Sequence, residues 1–256
     1  MPEPIRVQKA LAQAGVASRR GADSLVNEGR VTVNGEVAVS GQRVDPTVDV
    51  LAVDGRPVLP GGSRTYLALN KPAGVTSTVS DRHAERTVVD LVPPEQRGVR
   101  LYPVGRLDKD SEGLILLTDD GDWTQRLLHP SYGVEREYAL GLGTPLSPEQ
   151  IERLSAGLEL DEGLATLVGL REASRVEAAR LEGRPSGSAL LVWYHAVLTQ
   201  GWKRQLRRMF AAVEVPVERL VRVRIGTLRL GELAPGACRV LTSAERDRLA
   251  QPRTAR

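Results

Sequence analysis

Residues 104–121 read VGRLDKDSEGLILLTDDG, which puts more charge than folding requires at the mouth of an apolar strand. Arg106, Asp108, Lys109, Asp110 and Glu112 come first, and the block Leu114 to Leu117 follows. Asp108 lies two positions after Arg106, so on an extended segment both side chains share one face. A carboxylate beside a guanidinium is held ionised, the state a nucleophile or a base requires. A structural salt bridge would use the same two residues. Asp110, Glu112, Asp119 and Asp120 compete for any chemical role, although Asp119-Asp-Gly reads better as a turn between strand and helix.

A second concentration of charge lies between His195 and Ile225. Lys203, Arg204, Arg207, Arg208, Arg219, Arg222 and Arg224 are opposed there only by Glu214 and Glu218, a local net of +5 in a chain of net charge +3. Concentrated positive charge suits a polyanion, most commonly nucleic acid, with a solvated helix face as the ordinary alternative. The first 60 residues balance seven basic against seven acidic side chains. Within them Arg6, Lys9, Arg19, Arg20 and Arg30 lie on or beside two short helices, near an Asn34-Gly35 turn. Basic side chains and helix N-termini on one face are what phosphate binding requires.

Composition narrows the field. At 256 residues, 41% hydrophobic and 26% charged, the chain has enough apolar residues to bury a core. No apolar run approaches the roughly 18 residues that span a bilayer. The start MPEPIRVQKALAQAGV has prolines and spaced charges where a signal peptide is unbroken and apolar. Cys238 is the single cysteine and there are three histidines, which argues against a disulfide framework and a zinc site. A cytoplasmic setting is expected. The glycines of GRLDKDSEG and KPAG are too sparse for a nucleotide-binding loop.

These residues need elements to hold them. The spacing predicts a helix carrying Ile5, Leu11 and Ala12 and ending at Gly15, then a second capped by Ser18 and closed by Gly29. Alternation around Asn34-Gly35 predicts a hairpin, and VDVLAVDGRPV a further strand with an Asp-Gly turn. LPGGS at 59–63 reads as a linker. Beyond it, strands are expected at 66–70, 114–118, 136–141, 175–181, 189–198 and 218–230, and helices at 86–92, 121–128, 147–157 and 202–213. Capping boxes at Ser147 and Thr242 start two of the helices, the second a short C-terminal one before a frayed QPRTAR. Many strands with few long helices indicate a largely antiparallel α+β domain.

Several stretches match known proteins in a fixed order. RVQKALAQAGVASRRGADSLVNEGRVTVNGEVA resembles the alpha-L RNA-binding module shared with ribosomal small-subunit protein four. YPVGRLDKDSEGLILLTDDG resembles the signature of the RNA pseudouridine synthases, in their RsuA/RluB ribosomal branch. LALNKPAGVTSTVSD, LLHP, EREYAL, QGWKRQLRRMF and RLVRVRIGTLRLGEL follow the same family's order, so the likeness spans roughly residues 5–242.

The resemblance implies a role for each matched position. Asp108 would act at the ribose C1′ as the uridine glycosidic bond is cleaved. Arg106 would displace the target base or fill its gap, and Tyr138 would pack on the uracil. Arg207 would pair with Asp108. Leu220 and Ile225 would line an apolar pocket wall. Lys71, Lys203, Arg204, Gln205 and Arg208 fall in motifs expected to contact RNA, as do Arg6, Lys9, Arg19, Arg20 and Arg30 in the N-terminal module. Lys203, after an unusual Trp202, stands where the family commonly has Asn, and Arg136 where Lys is frequent. Trp123, Trp193 and Trp202 are secondary candidates for stacking on RNA, with Trp193 better placed as core. His83, His129 and Cys238 read as structural.

The expected reaction isomerises uridine to pseudouridine in ribosomal RNA, with large-subunit RNA favoured. It has no redox step, group donor or metal requirement, so no cofactor is expected. Ribosomal RNA or a pre-ribosomal particle is the expected partner of a monomer with no membrane association. A non-catalytic RNA-binding or ribosome-assembly protein on the same modules is the alternative. Against it stand the intact Arg106-Leu-Asp108, Tyr138 and Gln205-Leu-Arg207. A glycoside hydrolase fits poorly, because neighbours on one loop rarely reach the opposed separation of its two carboxylates. The expected fold is α+β. It joins a small N-terminal α/β RNA-binding domain (1–59) through a linker (60–64) to a catalytic domain (65–245), with a tail at 246–256. The catalytic domain should have a mixed, mainly antiparallel sheet, flanking helices and a central cleft.

Overall fold

The computed structural model describes residues 3–59, 62–80, 84–97, 100–182 and 191–251. His83, positions 60–61 of the anticipated linker, the start of the 189–198 strand and the last five residues lie outside them. The chain forms two compact units whose main border falls between Thr65 and Tyr66.

In the first unit, β1 (Ile5–Arg6) leads into α1 (Val7–Gln13), so Ile5 belongs to a strand rather than to the helix. Ser18 caps α2 (Arg19–Asn27) by accepting from the Gly21 N–H at 3.0 Å. The Asn34-Gly35 turn joins β2 (Val31–Val33) to β3 (Glu36–Val37), with φ of 53° and 90°, the left-handed pair that a tight hairpin demands. β4 (Arg43–Val44) pairs with β1, and β5 (Leu51–Val53) with both β2 and β6 (Arg56–Pro57). Val7, Leu11, Ala22, Val31 and Val44 close a small core.

The second unit opens with β7 (Tyr66–Lys71), β8 (Tyr102–Pro103), β9 (Glu112–Thr118), α3 (Gly121–Leu128), β10 (Arg136–Leu142) and α4 (Pro148–Ala156). Then come β11 (Leu158–Leu160), β12 (Gly163–Ala165), β13 (Val168–Glu172), α5 (Arg175–Glu182) and β14 (Val192–Leu198). It closes with α6 (Gln205–Ala211), β15 (Val217–Ile225), β16 (Leu228–Arg229), β17 (Cys238–Val240) and α7 (Ser243–Ala250). The main sheet runs β13-β14-β10-β15-β9-β7-β17, with β16 on β15 and β8 on β9.

β9 and β15 run parallel, and the other pairs of this sheet are antiparallel. At the parallel junction Gly113 lies opposite Arg222, with φ of 103°, and an added Cβ would sit 2.4 Å from the Arg222 carbonyl oxygen. Only glycine lets the two backbones approach this closely. Leu114, Leu116, Ala139, Trp193 and Val221 build the core around the central strands. Buried Glu137 ties three of them together, meeting His195 Nδ1 at 3.0 Å and Arg224 Nε at 2.8 Å. Burial works against ionisation of Glu137, but the Arg224 bond and charge outweigh it and hold its carboxyl below the usual range.

Some elements depart from expectation. Residues 175–181 are helical, because Ser174 and Glu177 form an N-terminal box: Glu177 accepts from the Ser174 N–H at 2.8 Å, and Ser174 Oγ from the Glu177 N–H at 3.3 Å. The strand expected at 218–230 is broken into β15 and β16 by a turn at Gly226. The helix at 86–92 shrinks to a 3-10 turn, Val88–Leu91. The helix expected from 202 begins at Gln205, since Arg204 is left-handed at φ 51°. α7 runs to Ala250 and buries Leu249, so the tail begins later than 246. Trp123 and Trp193 are both core residues.

Candidate active site

The loop carrying Asp108 lies between β8 and β9, and the chain holds it from several sides. The Val104 N–H donates to the Leu116 carbonyl at 2.8 Å, fixing the loop's entry. Ser77 Oγ donates to the Leu107 carbonyl at 2.8 Å and accepts the Leu107 N–H at 3.1 Å, while Leu107 is itself buried. From below, Lys71 Nζ donates to the carbonyls of Ser111 (2.6 Å), Pro72 (3.0 Å) and Lys109 (3.3 Å). Lys71 has no exposed surface. Desolvation lowers its pKa to about 8, against the opposing pull of Asp110, Glu112 and Asp108.

Asp108 thus stands on a rigid platform, and its side chain lines a cavity of about 690 Å³. Leu116, Leu127, Leu198, Leu220 and Ile225 supply apolar wall, and Tyr138, Arg136 and Arg222 face the same space. Tyr138 is 9% exposed at the centre of β10, opposite Ala196 of β14 and Arg222 of β15. Trp202, Lys203 and Arg204, ahead of α6, and Gln205, at its start, also line the cavity. The arrangement offers a carboxylate, an aromatic ring and apolar walls on a scale that accepts one flat heterocycle with its sugar.

The cation nearest Asp108 is not the one expected. Arg204 Nη1 lies 3.8 Å from Asp108 Oδ2, and the same guanidinium holds Asp110 at 3.1 and 3.2 Å. Arg207 meets Asp110 at 3.3 Å and donates to the Val217 carbonyl at 2.6 Å. Its pairing with Asp108 is therefore corrected to Asp110. The cause is the left-handed turn at Arg204, which brings that side chain over both carboxylates and leaves Arg207 one turn further along α6. Partial burial pushes the Asp110 carboxyl upward, but the Arg204 bond and the two guanidinium charges outweigh it and keep its pKa low.

Arg106 is exposed and forms no ion pair with Asp108 among the described residues. Lys71, expected at the RNA surface, is instead the buried strut of the loop. Gln205 is also buried, its amide donating to Gln200 (2.7 Å) and the Thr166 carbonyl (3.2 Å). Arg208 is paired with Glu162 (2.7 Å) and Asp161 (3.5 Å), and Arg30 with Asp54 (2.6 Å) and Glu28 (3.2 Å), so both carry compensated charge. Lys203, Arg6, Arg19 and Arg20 are exposed, whereas Lys9 is half-buried.

The family model for RNA pseudouridylate synthase matches residues 65–212, more than half of the chain. The chain belongs to the RNA pseudouridine synthase family. Residues 5–50 match the S4 domain. An RNA pseudouridine synthase of Mycobacterium bovis is 44% identical over 98% of this chain and 94% of its own. A ribosomal large subunit pseudouridine synthase B of Pseudomonas aeruginosa is 38% identical over 98% of this chain and 63% of that one. A crystal structure of a pseudouridylate synthase aligns over 96% of this chain and 99% of its own, with a TM-score of 0.63 and 26% identity. This pseudouridine synthase thus has the mixed α+β fold its sequence suggests. Sequence reading missed the pocket-facing position of Arg222, because it is one of three arginines in β15 and its residue type does not set it apart from Arg219 and Arg224.

Proposed function

We propose that this pseudouridine synthase isomerises a uridine of ribosomal RNA, with large-subunit RNA its substrate, and that Asp108 is the group acting at the ribose C1′. The carrying observation is Asp108 on a loop pinned by Lys71 and Ser77, facing the apolar cavity that also holds Tyr138. The Pseudomonas aeruginosa relative, named for the large ribosomal subunit, supports the choice of RNA.

A uridine inside folded RNA must leave its stack before C1′ is reachable, at a cost of roughly a few kcal/mol. Stacking on Tyr138 returns about 1–3 kcal/mol of this. The C1′–N1 bond then breaks, the uracil turns within the cavity, and C5 joins C1′. The C5 proton leaves and N1 takes one up. Arg204 balances the charge of Asp108 directly, and Arg207 acts through Asp110. Lys71 and Gln205 position the two loops, while Arg106 fills space left by the displaced base. Arg6, Lys9, Arg19 and Arg20 of residues 1–59 contact RNA phosphates, and Lys203 adds a contact at the rim of the cavity, in the unit that carries the chemistry.

The test maps pseudouridines in ribosomal RNA from cells lacking the protein, complemented with wild type or Asp108→Ala. One large-subunit site should vanish and return only with wild type. Restoration by Asp108→Ala would remove Asp108 from the reaction, and no lost site would favour an RNA-binding role without chemistry.

A further inference from the structure

Arg222 is 3% exposed and lines the cavity that holds Asp108 and Tyr138. Its Nε donates to the Leu114 carbonyl at 2.7 Å, whereas its Nη2 is buried without a hydrogen-bond partner. Among the described residues no carboxylate forms an ion pair with it. Arg136 lines the same wall and donates to the carbonyls of Val134 (3.3 Å) and Leu127 (3.1 Å). Burial, and then the charge of Arg222, hold Arg136 below the usual arginine range. Two guanidiniums thus share one apolar wall. A buried charge without a partner burdens the folded state, and a buried donor left unmade costs more than an exposed one. Nor is the position a loose end. The junction opposite Gly113 fixes the Arg222 backbone, and the Nε bond to the Leu114 carbonyl holds the guanidinium in place.

What accepts from it follows from the reaction proposed above, on which this inference rests. When C1′–N1 breaks heterolytically, the bonding pair stays on N1 and spreads onto O2 and O4 of the uracil. C5 then bonds to C1′, the C5 proton is lost to water and N1 is reprotonated, so no oxidant, reductant or donor enters. Charge therefore develops on the base itself, inside the apolar cavity, where a fixed cation acts most strongly. The geometry points to Arg222 as a catalytic residue that donates through Nη2 to a carbonyl oxygen of the departing uracil, with Arg136 as the supporting charge. Phosphate, the other common guanidinium ligand, fits less well, because the surrounding wall of Leu116, Leu127, Leu220 and Ile225 suits a base rather than a backbone.

The experiment compares wild type, Arg222→Gln and Arg222→Lys in single turnovers at saturating enzyme, on one RNA carrying uridine or 5-fluorouridine at the target, reading loss of the N1-linked base in both, because fluorine at C5 leaves no proton for the last step. Fluorine makes the uracil a better leaving group and lessens its need for a cation. Arg222→Gln should lose about 10²-fold in rate of uridine consumption, distinctly less on 5-fluorouridine, with RNA affinity and its salt dependence unchanged. Its Tm should equal or exceed that of wild type, because an uncompensated buried charge is gone. Arg222→Lys should fall between the two in rate, which keeps the test decisive if the glutamine variant folds poorly. A normal rate on uridine, or equal losses on both bases, overturns the assignment. So does weaker binding with a shallower salt slope at an unchanged rate, the pattern of a phosphate contact. If wild type converts no uridine, the proposed function fails. If wild type is active and Arg222→Gln matches it, only this inference fails.

Discussion

At the scale of single residues, the proposed chemistry depends on what holds Asp108 and what faces it. Lys71 gives three donors to carbonyls of the two flanking loops, so Lys71→Met should cost about 2–4 kcal/mol in urea unfolding and lower turnover. Its folded pKa of about 8 lies below the ordinary lysine value of 10.5, so between them the unfolded chain binds more protons. Stability contributed by this group therefore rises with pH across that window and levels off above it. The stability gap between wild type and Lys71→Met should widen from pH 8 to pH 10; a constant gap would contradict the buried-lysine assignment. Arg204 has φ of 51°, so Arg204→Gly should keep or slightly raise Tm while cutting turnover about tenfold or more. A variant with normal turnover would return the role of charge partner to Arg207. The place of Asp108 at the cavity could be read in the sequence because its motif is contiguous. The identity of its cation could not be, since Arg204 and Arg207 differ only by a backbone turn that no residue type announces.

At the scale of elements, the sheet positions the site through one irregular junction. Gly113→Ala would force a Cβ to 2.4 Å from the Arg222 carbonyl and hold alanine at positive φ, so a loss of about 2–4 kcal/mol is expected by chemical denaturation. Turnover should fall with it, because the junction aligns β9, which follows the Asp108 loop, with β15, which carries Arg222. A loss under 0.5 kcal/mol would show that the two strands separate freely. Most elements were legible from turn and cap residues: Ser18, Asn34-Gly35, Ser147 and Thr242 each begin or turn what they promised. Residues 175–181 were misread because Val176, Ala178 and Leu181 suggest a strand, while the deciding box begins one residue earlier, at Ser174. The short strands from 158 to 172 escaped notice because each gains its place by pairing rather than by its own pattern.

At the scale of the whole molecule, the chain folds as two compact units, and the proposed function gives each its own part. The S4 unit leaves Arg19 and Arg20 exposed at the start of α2, where a helix N-terminus also favours phosphate. The double variant Arg19→Glu, Arg20→Glu should weaken RNA binding by about tenfold or more and reduce its salt slope by about 2. Single-turnover rates at saturating RNA should stay near wild type, and an equal fall in rate would show that this unit takes part in the reaction. Order of motifs made the division legible over most of the chain. The charge balance within each unit was not, because Arg30 and Arg208 looked free in sequence and are paired by acids distant along the chain. The most direct measurement follows pseudouridine formation in large-subunit RNA by wild type and Asp108→Asn, alongside Tm and RNA affinity. Asp108→Asn should retain both Tm and affinity and form no pseudouridine. Formation at a wild-type rate, or loss of activity explained wholly by unfolding, would contradict Asp108 as the group that acts at C1′.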